Sequence, residues 1–207
     1  MQITSKLVAA LISLLPLGLF ADTLPPLLPA LYNAKDVADD DVLNIRAGPD
    51  AESEIIGTLP HDATGVEVVD SSAEGRWAMV SRGDFAGWVS LRFLQAMPLR
   101  TGATGLPVKL RCFGTEPFWS IRFREDTLSF RTPETEAQYE MLDVSPALTH
   151  VDLRETGALL SWIVEGRTVT ARILPGMCSD GMSDAAYALH YVDDLMPNAG
   201  CCSIAGR

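Results

Sequence analysis

Apolar and polar residues alternate at period two along most of the chain, the spacing of β-strands with one buried face. Leu43 and Ile45 alternate with Asn44 and Arg46, Gly48-Pro49 breaks the run, and Ile55 to Leu59 follows, ending at Pro60. Val66 to Val69, Trp77 to Val80 and Gly87 to Ser90 read as further short strands, with Gly83 and Gly87 around Asp84 marking a tight turn. No long amphipathic helix is spelled out in this half. A linker rich in Gly, Thr and Pro then separates it from a second alternating region. There the expected strands are Val108–Cys112, Phe118–Arg124, Thr127–Arg131, Met141–Val144, Leu159–Val164, Val169–Leu174 and Tyr187–Val192. Glu165-Gly166 reads as a hairpin turn between two of them. So many short strands at regular spacing predict an antiparallel barrel or sandwich. The fold class is all-β, in two domains.

The order LNIRAGP, IIGTLP, RWAMV, GWVSLRFL resembles the bacterial SH3 family, small barrels of exported, cell-wall-associated proteins. The resemblance covers 31–95 and implies a binding module without chemistry of its own. In such modules the ligands are peptidoglycan peptides or protein segments. The expected division is a signal peptide at 1–21, a Pro-rich lead-in at 22–30, the SH3-like domain at 31–95, a linker at 96–106 and a C-terminal β domain at 107–207.

The start of the chain bears on compartment. Lys6 precedes an apolar run from Leu7 to Phe20, and Ala21-Asp22 offers a cut site, the layout of a secretory signal peptide. The run is short for a membrane span and contains Pro16. Export, to the periplasm, is the expectation, with no stable membrane insertion after cleavage.

Charge narrows the partners. The net charge is -11. Residues 31–95 hold 5 basic against 12 acidic side chains, and 104–207 hold 9 against 14. A uniformly acidic surface repels phosphate backbones and anionic lipid heads, so nucleic acid is not an expected partner.

All 4 cysteines fall in the second half: Cys112, Cys178, Cys201 and Cys202. An even count behind an export signal reads as two disulfides. Adjacent residues on a strand point to opposite faces, so Cys201 and Cys202 should take different partners, Cys112 and Cys178, in an order left open. A loop of about 90 residues closed at Cys112 contributes roughly 4.5 kcal/mol on the chain-entropy model, and one of about 24 closed at Cys178 roughly 3.4 kcal/mol. There is no Cys-x-x-Cys pair and no His at ligand spacing, so neither a metal site nor a cofactor is expected.

Three strings in the second half stand out: Cys112 to Trp119 (CFGTEPFW), Cys178 to Asp184 (CSDGMSD) and Gly200-Cys201-Cys202. Together they resemble an uncharacterised bacterial envelope family with a GTEPFW-like box, a C-x-DGMSD-like loop and a terminal GCC. That resemblance implies an exported, all-β domain and carries no activity. Lipocalin-type barrels also pair a Gly and a Trp at the first strand, but Gly114 and Trp119 stand farther apart than in that pattern.

Pro117 presses Glu116 toward an extended backbone, and Phe118 and Trp119 then alternate faces. Glu116 beside Trp119 could orient a cationic or sugar ligand, or Trp119 could plug the core. Asp180 and Asp184 could hold a ligand, or satisfy backbone amides within a tethered turn. An EF-hand needs more oxygen ligands than this loop offers. In the first domain Tyr32 and Phe85 are expected to be exposed, with Asp84 favouring a basic ligand. Trp77 and Trp88 are expected to fill the barrel.

Catalysis is not expected. The cysteines are better used in pairs than as a Cys–His nucleophile, His190 sits within a strand pattern, and no Gly-x-Ser-x-Gly, His-Glu-x-x-His or phosphate loop occurs. The reading is an exported binding protein. Its first domain would dock on cell-wall peptide or a protein partner, and its second would bind a small ligand or another protein. An inhibitor or accessory factor of a cell-wall hydrolase, and a hydrolase itself, are the alternatives.

Overall fold

The computed structural model describes residues 27–144, 153–195 and 199–206. The signal-peptide expectation for 1–21 lies outside them. The fold is all-β and contains two sheets. The first comprises β1 (Ala30–Ala34), β2 (Val42–Arg46), β3 (Ile55–Pro60), β4 (Val66–Ser71), β5 (Trp77–Arg82), β6 (Phe85–Ser90) and β7 (Leu94–Ala96). Its strand order is β3-β2-β6-β5-β4-β1-β7, antiparallel throughout. Ile45, Val68, Ala78, Val80 and Val89 fill the interior and are almost completely inaccessible to water.

The second sheet is a closed barrel of eight strands. These are β8 (Arg111–Thr115), β9 (Phe118–Arg124), β10 (Thr127–Arg131), β11 (Glu136–Val144), β12 (Ala158–Val164), β13 (Arg167–Cys178), β14 (Tyr187–Asp193) and β15 (Gly200–Ser203). Each pairs with the next, and β15 returns to β8. A short helix, α1 (Leu153–Thr156), tucks Leu153 into the barrel core. Inward positions carry Ile121, Leu128, Leu160, Val169, Ile173, Leu189 and Tyr191. Closing the sheet leaves none of its strands at a free edge.

Three strands depart from what alternation suggested, and the first of them, β8, is shifted to Arg111–Thr115 from the expected Val108–Cys112. β13 runs on to Cys178, with a bulge between Pro175 and Cys178 that interrupts the apolar rhythm. β11 begins at Glu136, where polar side chains hide the pattern. The Glu165-Gly166 hairpin is as expected: both residues have positive φ, 51° and 78°, as a two-residue turn matched to strand twist requires.

The disulfide order is Cys112–Cys202 and Cys178–Cys201. Cys112 stands directly opposite Cys202 across β8 and β15, both inside the barrel core. Cys201 points the other way and joins Cys178, Ala185 and Tyr187 in a small outer cluster.

Candidate functional site

The three unusual strings converge at one end of the barrel. Thr115 and Phe118 pair across a hairpin whose tip is Glu116-Pro117. The Thr115 hydroxyl donates to the carbonyl of Asp180 at 2.8 Å, tying this tip to the CSDGMSD loop. That loop is fixed in turn to β15 by Cys178–Cys201.

Within the loop the Asp180 carboxylate accepts from the backbone N–H groups of Met182 and Ser183 and from the Ser183 hydroxyl, at 2.8 to 3.0 Å. Partial burial pushes its pKa up, but these donors together outweigh burial and hold it below the usual aspartate value. Asp180 therefore organises its own turn.

The other side of the loop meets the first domain. The Asp184 N–H donates to the carbonyl of Asp84 at 2.8 Å, and the Ala86 N–H to the carbonyl of Asp184 at 2.9 Å. Phe85 and Asp184 form a parallel β-bridge. The Ser81 hydroxyl donates to the Ala186 carbonyl and accepts from the Ala186 N–H. A second seam lies at Glu67 of β4, which is 2 % exposed. Its carboxylate accepts from the Ser203 hydroxyl at 2.6 Å and the Ile204 N–H at 2.9 Å, both just past the GCC string. Asp84, Phe85 and Asp184 are thus brought together at the junction of the two domains, partly through backbone groups.

Trp119 is 3 % exposed and sits inside the barrel, tilted against Tyr191 with ring centroids 5.0 Å apart. The β8–β9 hairpin places it opposite Gly114, and Gly200 lies against its ring, so a Cβ at either glycine would collide with the indole. Glu116 is exposed at the hairpin tip, away from this buried ring.

Three exposure expectations need correction. Tyr32 is buried in the core, 5 % exposed, because β1 is flanked by both β4 and β7 and its Tyr32 face turns inward. Burial raises its hydroxyl pKa above the usual value, against an opposing pull from Arg154 of the second domain. Phe85 is only partly exposed, packed on the first core and against Gly57. Trp77 and Trp88 do not fill the barrel. Ala78, Val80 and Val89 take the inward positions, which leaves both indoles partly buried on the outer face.

That outer face carries a groove of about 540 Å³ that sequence reasoning missed. Trp77, Val42 and Phe93 give it apolar walls, and Asp36, Asp41, Arg46 and Arg92 line it as well. Arg92 lies over the Phe93 ring, 5.3 Å from its centroid. The available signal was parity: a Trp next to a small Ala in a strand faces away from a core that the Ala occupies.

Residues 41–95 match the family described as the bacterial SH3 domain. β1, which lies before the matched residues, pairs with β4 and β7 and extends that sheet. No curated protein and no solved structure matches the chain. The bacterial SH3 domain points to a cell-wall or protein binding role. Two disulfides fit an oxidising compartment, and no described helix is long and apolar enough to cross a membrane.

Proposed function

We propose that this chain is an exported, non-catalytic envelope binding protein whose first domain docks on cell-wall peptide through the Trp77 groove. The groove carries the reading. It gathers the Trp77 indole, the Asp36 and Asp41 carboxylates and the Arg46 and Arg92 guanidinium groups along one surface. A short peptide with a free amine, a free carboxylate and a small apolar side chain complements all three. The barrel is the second unit, hydrogen-bonded to the first through Glu67 and through Asp184.

The test is co-sedimentation of the chain from Asp22 onward with purified peptidoglycan, beside Trp77→Ala. Deleting the whole first domain would be a poor control, because it would strip Ser203 and Ile204 of their Glu67 partner. Retention that Trp77→Ala abolishes, with an unchanged melting temperature, is the expected result. Equal retention of both forms, or of neither, discards the groove as the docking site. A stable stoichiometric complex with a hydrolase, in place of sedimentation, would favour the inhibitor reading.

A further inference from the structure

The acidic excess of the second half suggested a surface hostile to anions, yet the barrel gathers its bases. Four of the 9 basic residues in 104–207 stand on one outer face of β8, β9 and β10. Arg111 and Arg122 are directly opposite across β8 and β9. Arg124 follows Arg122 on the same face, and Arg131 comes from the next strand, opposite Ser120. They line a groove of about 350 Å³ together with Ser129 and Gln138. Among the described residues the carboxylate in this groove is Glu136, paired with Arg131 at 2.6 Å.

Like charges facing each other across strands destabilise a sheet. The cost shows at Arg111: burial first, then Arg122 and Arg131, lower its pKa, with Tyr187 opposing. The Arg111 Nε is buried without a hydrogen-bond partner among the described residues. A second cleft of about 350 Å³ adjoins the first and shares Arg111, Ser120 and Arg131 with it. It adds Phe113, Phe118 and Pro133, and Phe118 is 53 % exposed. Trp119 also lines it, and its buried Nε1 has no hydrogen-bond partner among the described residues.

We propose that this face is a binding site for a phosphorylated sugar, with phosphate groups on Arg111, Arg122 and Arg131 and the ring against Phe118. The guanidinium forks match phosphate bidentately, and phosphate carries enough charge to offset several cations at once. An exposed aromatic beside them suits the apolar face of a sugar. An acidic peptide fits less well, since the closed barrel has no strand edge to which a peptide backbone could bond.

The test uses the chain from Asp22 onward with glucose 1,6-bisphosphate, with unphosphorylated glucose and a short oligoglutamate peptide alongside, read by calorimetric titration and thermal melting. The bisphosphate should bind and raise the melting temperature, and glucose should do neither. The double variant Arg111→Gln/Arg122→Gln should bind about a hundredfold more weakly. Its ligand-free melting temperature should equal or exceed the native one, because repulsion is relieved, so loss of binding cannot be mistaken for unfolding. Phe118→Ala should weaken the bisphosphate without changing that melting temperature. Equal affinity of the native chain and the double variant overturns the proposal. So does absence of binding, or tighter binding of oligoglutamate, which would mark the face as an acidic-protein dock.

Discussion

The two domains solve the same problem in different ways. Both are antiparallel sheets around an apolar core, yet the first has no covalent cross-link and the second fastens both disulfides to its last strand, β15. The first closes its core through non-sequential pairs, β2 with β6 and β1 with both β4 and β7, and noncovalent contacts alone hold them. The second pairs its strands in sequence order and has one long-range closure, β15 on β8, where cross-linking reduces the freedom of the unfolded chain that opposes it. The difference teaches where each domain is vulnerable.

The 4 tryptophans divide between the domains, so fluorescence can follow each. Trp77 and Trp88 report the first, and Trp119 and Trp162 the barrel. The largest effect should come from Cys112→Ser/Cys202→Ser, which opens a loop of sequence separation 90 and costs the barrel roughly 4.5 kcal/mol. Thermal unfolding should show the barrel melting early while the first domain keeps its transition. One shared transition, shifted as a unit, would erase the contrast between the domains.

Glu67→Ala comes next. It leaves a hydroxyl and an N–H buried without their acceptor, at a cost of about 2–3 kcal/mol, and should lower the transition of each domain, since each loses its contact with the other. Differential scanning calorimetry would resolve the two shifts. Gly114→Ala should cost about 1–3 kcal/mol by overpacking the indole of Trp119. Its effect should be confined to barrel fluorescence in a denaturant titration.

The smallest effect is at Asp180. Its folded-state pKa is depressed, so the stability it contributes is present above its unfolded value and is lost as pH falls through the folded one. Native protein should therefore loosen at the junction loop below about pH 4, and Asp180→Asn should flatten that dependence. Hydrogen exchange at Met182 and Ser183 against pH would measure it.

The all-β class was legible because alternation survives without knowledge of partners. Paired cysteines were legible because Cys201 and Cys202 must face opposite ways on any strand. Facing direction was not. Tyr32 was expected at the surface, but its face of β1 turns into the core between β4 and β7. Trp77 and Trp88 were expected in the core because their positions resemble ones that fill such barrels, and lost that place to small neighbours with the opposite parity. The arginine face was the least visible, since Arg111, Arg122 and Arg131 become neighbours only through the registers of β8, β9 and β10. The junction was equally hidden, because Asp84 and Asp184 meet through main-chain groups that every residue possesses.

The connectivity of β15 also imposes an order of events on biogenesis. As the chain emerges from a ribosome or a translocation channel, Cys112 and Cys178 are both exposed before Cys201 and Cys202 arrive. During that interval the one intramolecular bond these thiols could form is with each other, a pairing the mature barrel does not contain. An oxidant acting too early would thus trap the chain in an off-pathway loop, and recovery would require thiol–disulfide exchange. The position of the last strand thus makes the timing of oxidation part of how the native pairs are reached.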